Sequence, residues 1–68
     1  MNTLEAIKDA PMSEHHRQLC ADKIDRTAQW EGGPVTEVTW FEREGYVFVD
    51  AKIGQGSGAT RVGAPRLN

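Results

Sequence analysis

The strongest constraint on the fold is a pair of strand-like runs separated by two residues, Glu44 and Gly45. Both runs are rich in β-branched and aromatic residues, and hydrophobic residues recur along them with a period close to two. A glycine in so short a break is typical of a tight turn between antiparallel strands. We therefore predict a β-hairpin over residues 35–42 and 46–53.

The length of the turn decides which side chains share a face of this hairpin. A two-residue turn pairs Phe41 with Phe48, and both then lie with Tyr46 on one face. In that register Trp40 pairs with Val49 on the opposite face. A three-residue turn shifts the pairing by one and groups Trp40 with Tyr46 and Phe48. The sequence leaves both registers open, and both place aromatic side chains on each face.

A helix is predicted before the hairpin, over residues 13–30. Ser13 is a suitable N-cap, and Gly32 follows the last helical candidates. A short helical turn over residues 3–10, capped by Thr3, precedes it. The hydrophobic spacing predicts an inner stripe on the long helix that consists of His16, Leu19, Cys20, Ile24, Thr27 and either Trp30 or Glu31.

Together these elements predict an α+β fold in which the N-terminal helix packs on an antiparallel β-hairpin. Residues 1–53 are expected to form the single small domain. Residues 54–68, rich in Gly and Ser, are expected to form either a flexible tail or a short edge strand around residues 60–62. Because one helix covers only one face of a small sheet, we expect the second face to contact a protein partner or a second copy in a homodimer.

The small size of the chain supports the same expectation. It has 68 residues and one cysteine, Cys20, which excludes an intrachain disulfide. Below roughly 70 to 80 residues a lone core supplies only about 3–5 kcal/mol unless a crosslink, a metal or another subunit adds to it. No run of eighteen apolar residues is present. We expect a complete, soluble, cytoplasmic protein that does not enter a membrane.

The charge distribution bears on the class of partner. The net charge is −2, with five basic and nine acidic residues in positions 1–44 against three and one in positions 45–68. A duplex-DNA binder usually concentrates Lys and Arg on one face, and this acidic body does not fit that pattern.

Several motifs suggest chemistry that their surroundings do not support. His16 and Cys20 are four residues apart, but two ligands do not make a metal site. Gly54–Gly58 lacks the helix or the Lys that a phosphate-binding loop requires. Glu42 and Glu44 flank a hydrated turn rather than a pocket. We therefore predict no catalytic residues, no metal and no cofactor.

The stretch GYVFV, residues 45–49, resembles the aromatic strand of RNA-recognition motifs, in which alternating aromatic side chains stack on bases. The resemblance covers about five residues and departs from the family at Glu44, where a basic residue is usual. It implies a single-stranded nucleic-acid-binding module in which Tyr46 and Phe48 stack on bases. By the chemistry of their side chains alone, Lys52, Arg61 and Arg66 would be the phosphate contacts of such a module.

The function that this sequence favours is that of a small non-enzymatic protein-binding or regulatory protein. Chains of this size are common among accessory and inhibitor proteins of phage and mobile elements, and we expect this chain to be of that kind. Aromatic and arginine side chains often dominate the binding energy of protein interfaces. The predicted interface residues are Trp40, Phe41, Arg43, Tyr46 and Phe48.

Overall fold

The computed structural model describes residues 1–54 and 58–67. Within these ranges the three strands form one antiparallel sheet, and the helices pack on one of its faces. The predicted α+β fold is confirmed. The elements are α1 (Thr3–Ala6), α2 (Glu14–Glu31), β1 (Val35–Arg43), β2 (Tyr46–Ile53) and β3 (Ala59–Pro65).

The third strand is present and is longer than the segment predicted from the sequence. It pairs with β2 from Tyr46 opposite Pro65 to Lys52 opposite Ala59. This pairing makes β2 the central strand, so the hairpin is part of a three-stranded sheet. Residues 55–57, within the stretch Gly54–Gly58 considered above, lie outside the described residues, as does residue 68.

The turn between β1 and β2 has two residues, which decides between the two registers. Glu44 has a φ of 52° and Gly45 a φ of 83°. Positive φ at both central residues is the requirement of a type I′ turn, whose twist matches that of the flanking strands. Phe41 is accordingly paired with Phe48, as the two-residue alternative predicts.

The hydrophobic core lies between the helices and one face of the sheet, which we call the inner face. Alternation along β2 turns every second side chain toward the helices, so that this strand alone contributes four buried residues. Val38, Trp40 and Val62 pack against the core from the two edge strands and are partly buried. The core consists of Ile7, Ala10, Met12, Cys20, Ile24, Ala28, Val35, Val47, Val49, Ala51, Ile53 and Ala64.

The buried face of α2 differs from the stripe predicted from its sequence. Ala21 and Ala28 are buried together with Cys20 and Ile24, whereas Leu19 is 43% exposed and Trp30 is 89% exposed. Small side chains on the buried face let the helix approach the sheet closely, which leaves the larger apolar residues at its flank. Neither helix of the described residues is long and apolar enough to cross a membrane.

The first helix is shorter than predicted and has a different cap. Its N-cap is Asn2, whose side chain accepts a hydrogen bond from the backbone N–H of Glu5 at 3.1 Å. Thr3, the predicted cap, is buried instead, and its hydroxyl donates to a carboxylate oxygen of Asp25 at 2.8 Å. The hydroxyl therefore ties α1 to α2. The helix ends at Ala6, and turns lead from there to α2.

The segment after β3 is attached to two distant parts of the fold. The backbone N–H of Arg66 donates to the carbonyl oxygen of Gly45 at 2.9 Å, and that of Leu67 donates to the carbonyl oxygen of Pro11 at 2.8 Å. The guanidinium of Arg66 also pairs with Glu42. These contacts hold the C-terminal segment against the turn and the connection between the two helices.

The turn provides a test of the register. Asn tolerates the left-handed region better than Glu does, so Glu44→Asn is expected to raise the free energy of unfolding by about 0.5–1 kcal/mol. Urea unfolding followed by circular dichroism measures the change. Glu44→Gln is the matched control, because it removes the charge but keeps the unfavourable φ. An equal gain in both variants would contradict the conformational explanation.

Candidate functional site

The face of the sheet opposite the helices, called here the outer face, is the candidate site. Both helices pack on the inner face, and within residues 1–54 and 58–67 no element packs on the outer one. The strand register determines which side chains project from it. They are Glu37, Thr39, Phe41 and Arg43 from β1, Tyr46, Phe48, Asp50 and Lys52 from β2, and Ala59, Arg61 and Pro65 from β3.

Three aromatic side chains, Phe41, Phe48 and Tyr46, lie next to one another on this face and form what we call the aromatic row. The rings of Phe41 and Phe48 are stacked, with centroids 5.4 Å apart and an interplanar angle of 27°. The Tyr46 ring is tilted against Phe48 at 6.4 Å. Tyr46 is 52% exposed, and the two phenylalanines are half-buried. Both ring distances are typical of favourable aromatic pairs.

A glycine in β3 makes room for the central ring of the row. A Cβ atom at Gly63 would lie 3.1 Å from both Cδ1 and Cε1 of Phe48, closer than ordinary van der Waals contact. The ring therefore covers the backbone of the neighbouring strand. From the sequence, Gly63 is expected only to belong to the C-terminal segment of residues 54–68. A glycine within a strand pattern marks a close approach to the backbone, and that signal was present in the sequence.

Arg61, in β3, contacts residues of both other strands and lies over the Phe41 ring at one end of the aromatic row. Its Nε donates to Oδ1 of Asp50 at 2.6 Å and its terminal nitrogen donates to Oδ2 at 3.1 Å, which makes the pair bidentate. Its guanidinium carbon also lies 5.1 Å from the centroid of the Phe41 ring, within the range of a cation–π contact. Hydrogen bonds from Arg61 lower the pKa of Asp50, although burial opposes the shift.

The residues predicted to contact phosphate are all engaged by carboxylates. Nζ of Lys52 in β2 lies 3.1 Å from Oε2 of Glu37 in β1, and the guanidinium of Arg61 forms an ion pair with Asp50. Arg66 pairs with Glu42, whose position in β1 faces the inner side of the sheet. The charges of Lys52 and Arg61 on the outer face are therefore locally balanced, and Arg66 is not part of that face.

The predicted protein-interface residues are divided between the two faces. Phe41, Phe48 and Tyr46 are together on the outer face, and Arg43 lies opposite Tyr46 beside the turn. Trp40 is opposite Val49 on the inner face, where it packs against the core. Four of the five predicted residues therefore share one surface, from which Trp40 is separated.

His16 and Cys20, the pair considered for metal binding, have other surroundings. Cys20 is buried with its sulfur 4.0 Å from that of Met12, and burial raises the pKa of its thiol, against the opposing effect of Lys23. Nδ1 of His16 is 3.0 Å from the hydroxyl of Ser13. Across the described ranges, no three His, Cys, Asp or Glu side chains cluster closely enough to hold a metal ion.

Comparisons of this chain with protein-family models, with characterised proteins and with solved structures find no match. The geometry and charge of the outer face are therefore the basis on which a function can be proposed.

The contact between Phe48 and Gly63 predicts a specific destabilisation. Gly63→Ala is expected to lower the free energy of unfolding by about 1–3 kcal/mol, because the added methyl group forces the ring or the strand to move. Denaturant unfolding gives the magnitude, and the chemical shifts of the Phe48 ring show the displacement. Phe48→Leu provides the control: in that background the cost of Gly63→Ala should be much smaller. An unchanged cost would show that the ring is not responsible.

The pair formed by Asp50 and Arg61 predicts a dependence of stability on pH. The pKa of Asp50 lies below its ordinary value of 3.8 in the folded protein, so its contribution is present above that value. The contribution is lost as the pH falls through the lowered pKa. Between about pH 5 and pH 2 the wild type should therefore lose stability more steeply than Asp50→Asn, measured by urea unfolding at each pH. Parallel profiles would contradict the assignment.

Proposed function

We propose that this chain is a small non-enzymatic protein-binding protein that docks a partner through its outer face. The observation that carries the proposal is the aromatic row, Phe41, Phe48 and Tyr46, on a sheet surface that no described element covers. Solvent-exposed aromatic side chains that adjoin one another are unusual on a monomer surface and are enriched at the centres of protein interfaces.

The rigidity of the row supports this function. Phe48 is confined by Phe41 on one side and by the backbone at Gly63 on the other, and Arg61 lies over Phe41. Side chains that are already ordered lose less conformational entropy when a partner binds. The row therefore offers a binding surface whose conformation is largely set before the complex forms.

The charges around the row indicate the chemistry of the partner. Two ion pairs, Arg61 with Asp50 and Lys52 with Glu37, present both signs next to the rings. A surface of this kind suits a protein whose contacting patch is apolar at the centre and mixed in charge at the rim. Arg43, beside Tyr46, has no ion pair among the described residues and is the charged anchor we assign to the rim.

The same charges disfavour single-stranded nucleic acid as the ligand. Binding a phosphate backbone would require Lys52 and Arg61 to exchange their carboxylate partners for phosphate, and Asp50 would remain beside the backbone.

A protein that occupies the surface of its partner regulates or inhibits that partner, as accessory proteins of phage and mobile elements of this size do. We propose that mode of action for this chain.

The test is affinity capture with tagged wild type and with Tyr46→Ser, followed by binding measurements on the captured partner once it is purified. Tyr46 is half exposed, so its replacement should leave the far-ultraviolet spectrum and the unfolding midpoint nearly unchanged. Truncation of a hot-spot residue, the role assigned here to Tyr46, costs about 2 kcal/mol or more. We therefore expect the affinity for the partner to fall more than about 30-fold.

The matched control is Gln29→Ala, an exposed position on α2 away from the outer face. A partner captured equally well by wild type, by Gln29→Ala and by Tyr46→Ser would contradict the proposal. Salt-sensitive binding of a single-stranded oligothymidine by the wild type, lost in Tyr46→Ser, would assign the aromatic row to nucleic acid instead.

A further inference from the structure

The free edge of β3 presents backbone groups that have no partner in the sheet. The N–H of Ile53 donates to the carbonyl of Gly58, and that of Arg66 donates to the carbonyl of Gly45. Hydrogen-bonded and non-hydrogen-bonded residue pairs alternate in an antiparallel ladder. These two bonds therefore determine which residues of β3 direct their N–H and C=O groups toward β2. Within the described residues, the strand positions whose N–H and C=O groups point away from β2 are Ala59, Arg61 and Gly63.

This edge lacks most of the features by which proteins block further pairing. The opposite edge of the sheet, β1, has an irregular register between Val35 and Glu37. In contrast, β3 pairs with β2 without a shift over all seven of its residues. Its one charged residue, Arg61, projects from the outer face. Pro65 lacks a backbone N–H donor, but it is the last residue of the strand.

The flank of α2 beside β3 is also uncovered. Leu19 and Trp30 project from this flank with exposures of 43% and 89%, and Val62 of β3 is half-buried below them. Val62 and Trp30 line a groove with Lys23, Arg26 and Thr27. A strand edge and an apolar helix flank therefore lie side by side. A partner that covered both would have to supply a strand and, above it, a helix.

We propose that a second copy of this chain covers this surface, with the two β3 strands paired antiparallel about a two-fold axis. The chain itself has a strand with a helix above it in the required arrangement, whereas an isolated peptide strand would leave Trp30 exposed. The helix contacts β3 most extensively and then β2. With strands about 4.8 Å apart, a two-fold axis at the edge places the two α2 helices about 10 Å apart, a normal packing distance.

The sequence of β3 selects the register of this pairing. Val62 is the central residue of Ala59–Pro65, so an axis through Val62 pairs the whole strand with itself. Arg61 then lies opposite Gly63 of the second copy, and about six backbone hydrogen bonds form. An axis through Arg61 would place two guanidinium groups directly opposite each other, which is unfavourable. With the axis through Val62, this residue contacts Val62 of the second copy beneath the groove.

A dimer interface of typical size would cover only a modest share of the chain's surface. Typical specific interfaces bury about 800 Å² on each partner. That area is about one sixth of the 4690 Å² that the chain exposes. A second subunit also supplies the additional burial that a domain of this length usually needs.

Lys23 and Arg26 give the proposed dimer a diagnostic dependence on salt. Both side chains line the groove, so the two copies bring charges of the same sign close together. Salt screens this repulsion, and the dimer should therefore strengthen as salt is added. Binding of an acidic peptide at the same groove would weaken with salt instead.

The dimer does not depend on the function proposed above, because it uses the edge of β3 and the flank of α2 rather than the aromatic row. It would join the two sheets into one of six strands with both outer faces on the same side. A partner could then contact two aromatic rows at once, which would increase its apparent affinity.

The first experiment is sedimentation equilibrium over a range of concentrations and salt. The wild type should have twice the monomer mass of 7.5 kDa, and the dissociation constant should fall as salt rises. Trp30→Ala should raise the dissociation constant at least tenfold. Because Trp30 is almost fully exposed, the monomer fold should be unaffected. The neighbouring change Gln29→Ala, on the other flank, should have no effect.

The second experiment tests the register by disulfide formation. In a Cys20→Ala background, Val62→Cys places two thiols across the axis at a non-hydrogen-bonded pair. The Cα separation there is about 4.5 Å, within the range of a disulfide. Mild oxidation should convert the protein to a covalent dimer. Thr60→Cys, on the same face two residues away, should remain largely uncrosslinked because it lies opposite Ala64 of the second copy.

Several results would overturn the proposal. They are a monomer at every concentration, a dimer that Trp30→Ala leaves intact, a dimer that salt weakens, and equal crosslinking at positions 60 and 62. A dimer lost in Tyr46→Ser but retained in Trp30→Ala would place self-association on the outer face. Failure to capture any partner through the aromatic row, with the β3 dimer intact, would count only against the proposed function.

Discussion

The two-residue turn at Glu44 and Gly45 is the constraint on which the rest of the structure depends. By adopting positive φ at both positions it fixes the register of β1 against β2. A shift of one residue would move every side chain of one strand to the other face. The turn therefore assigns Trp40 to the inner face and Phe41 to the outer face. The two faces acquire different chemistry: mostly aliphatic toward the helices, aromatic and charged toward solvent.

The third strand gives this division its stability. A two-stranded hairpin is marginal in water, whereas three strands that share a hydrophobic face can be stable. β3 contributes Ala64 to the core and Arg61 to the outer face. Its glycine at position 63 lets the Phe48 ring lie against the sheet. A segment of low hydrophobicity thus completes the inner face of the sheet and also supports the aromatic row on the outer face.

Much of the fold could be predicted from the sequence because its signals are local: the caps of α2, the period of two in the strands and the turn glycine. The register stayed open because Glu44 is a poor residue for positive φ, so composition alone did not identify the turn type. The buried face of α2 was predicted with the wrong orientation because alanines carry little weight in a hydrophobic stripe, although they allow close packing. For the candidate site, the aromatic residues could be predicted, but the separation of Trp40 from them depends on the register, and the contact with Gly63 depends on a strand pairing distant in sequence.

The hydrogen bond between Leu67 and Pro11 joins segments at the two ends of the described chain. Together with the packing of Ile7 and Ala64 in one core, it makes the fold rich in contacts between residues far apart in sequence. Chains of this kind fold more slowly than helical proteins of equal length, since distant segments must meet before they are stabilised. During synthesis Ala64 is the last member of the core to be added. Until β3 has been added, the edge of β2 lacks its second neighbour and can pair with another chain, which favours aggregation in that interval.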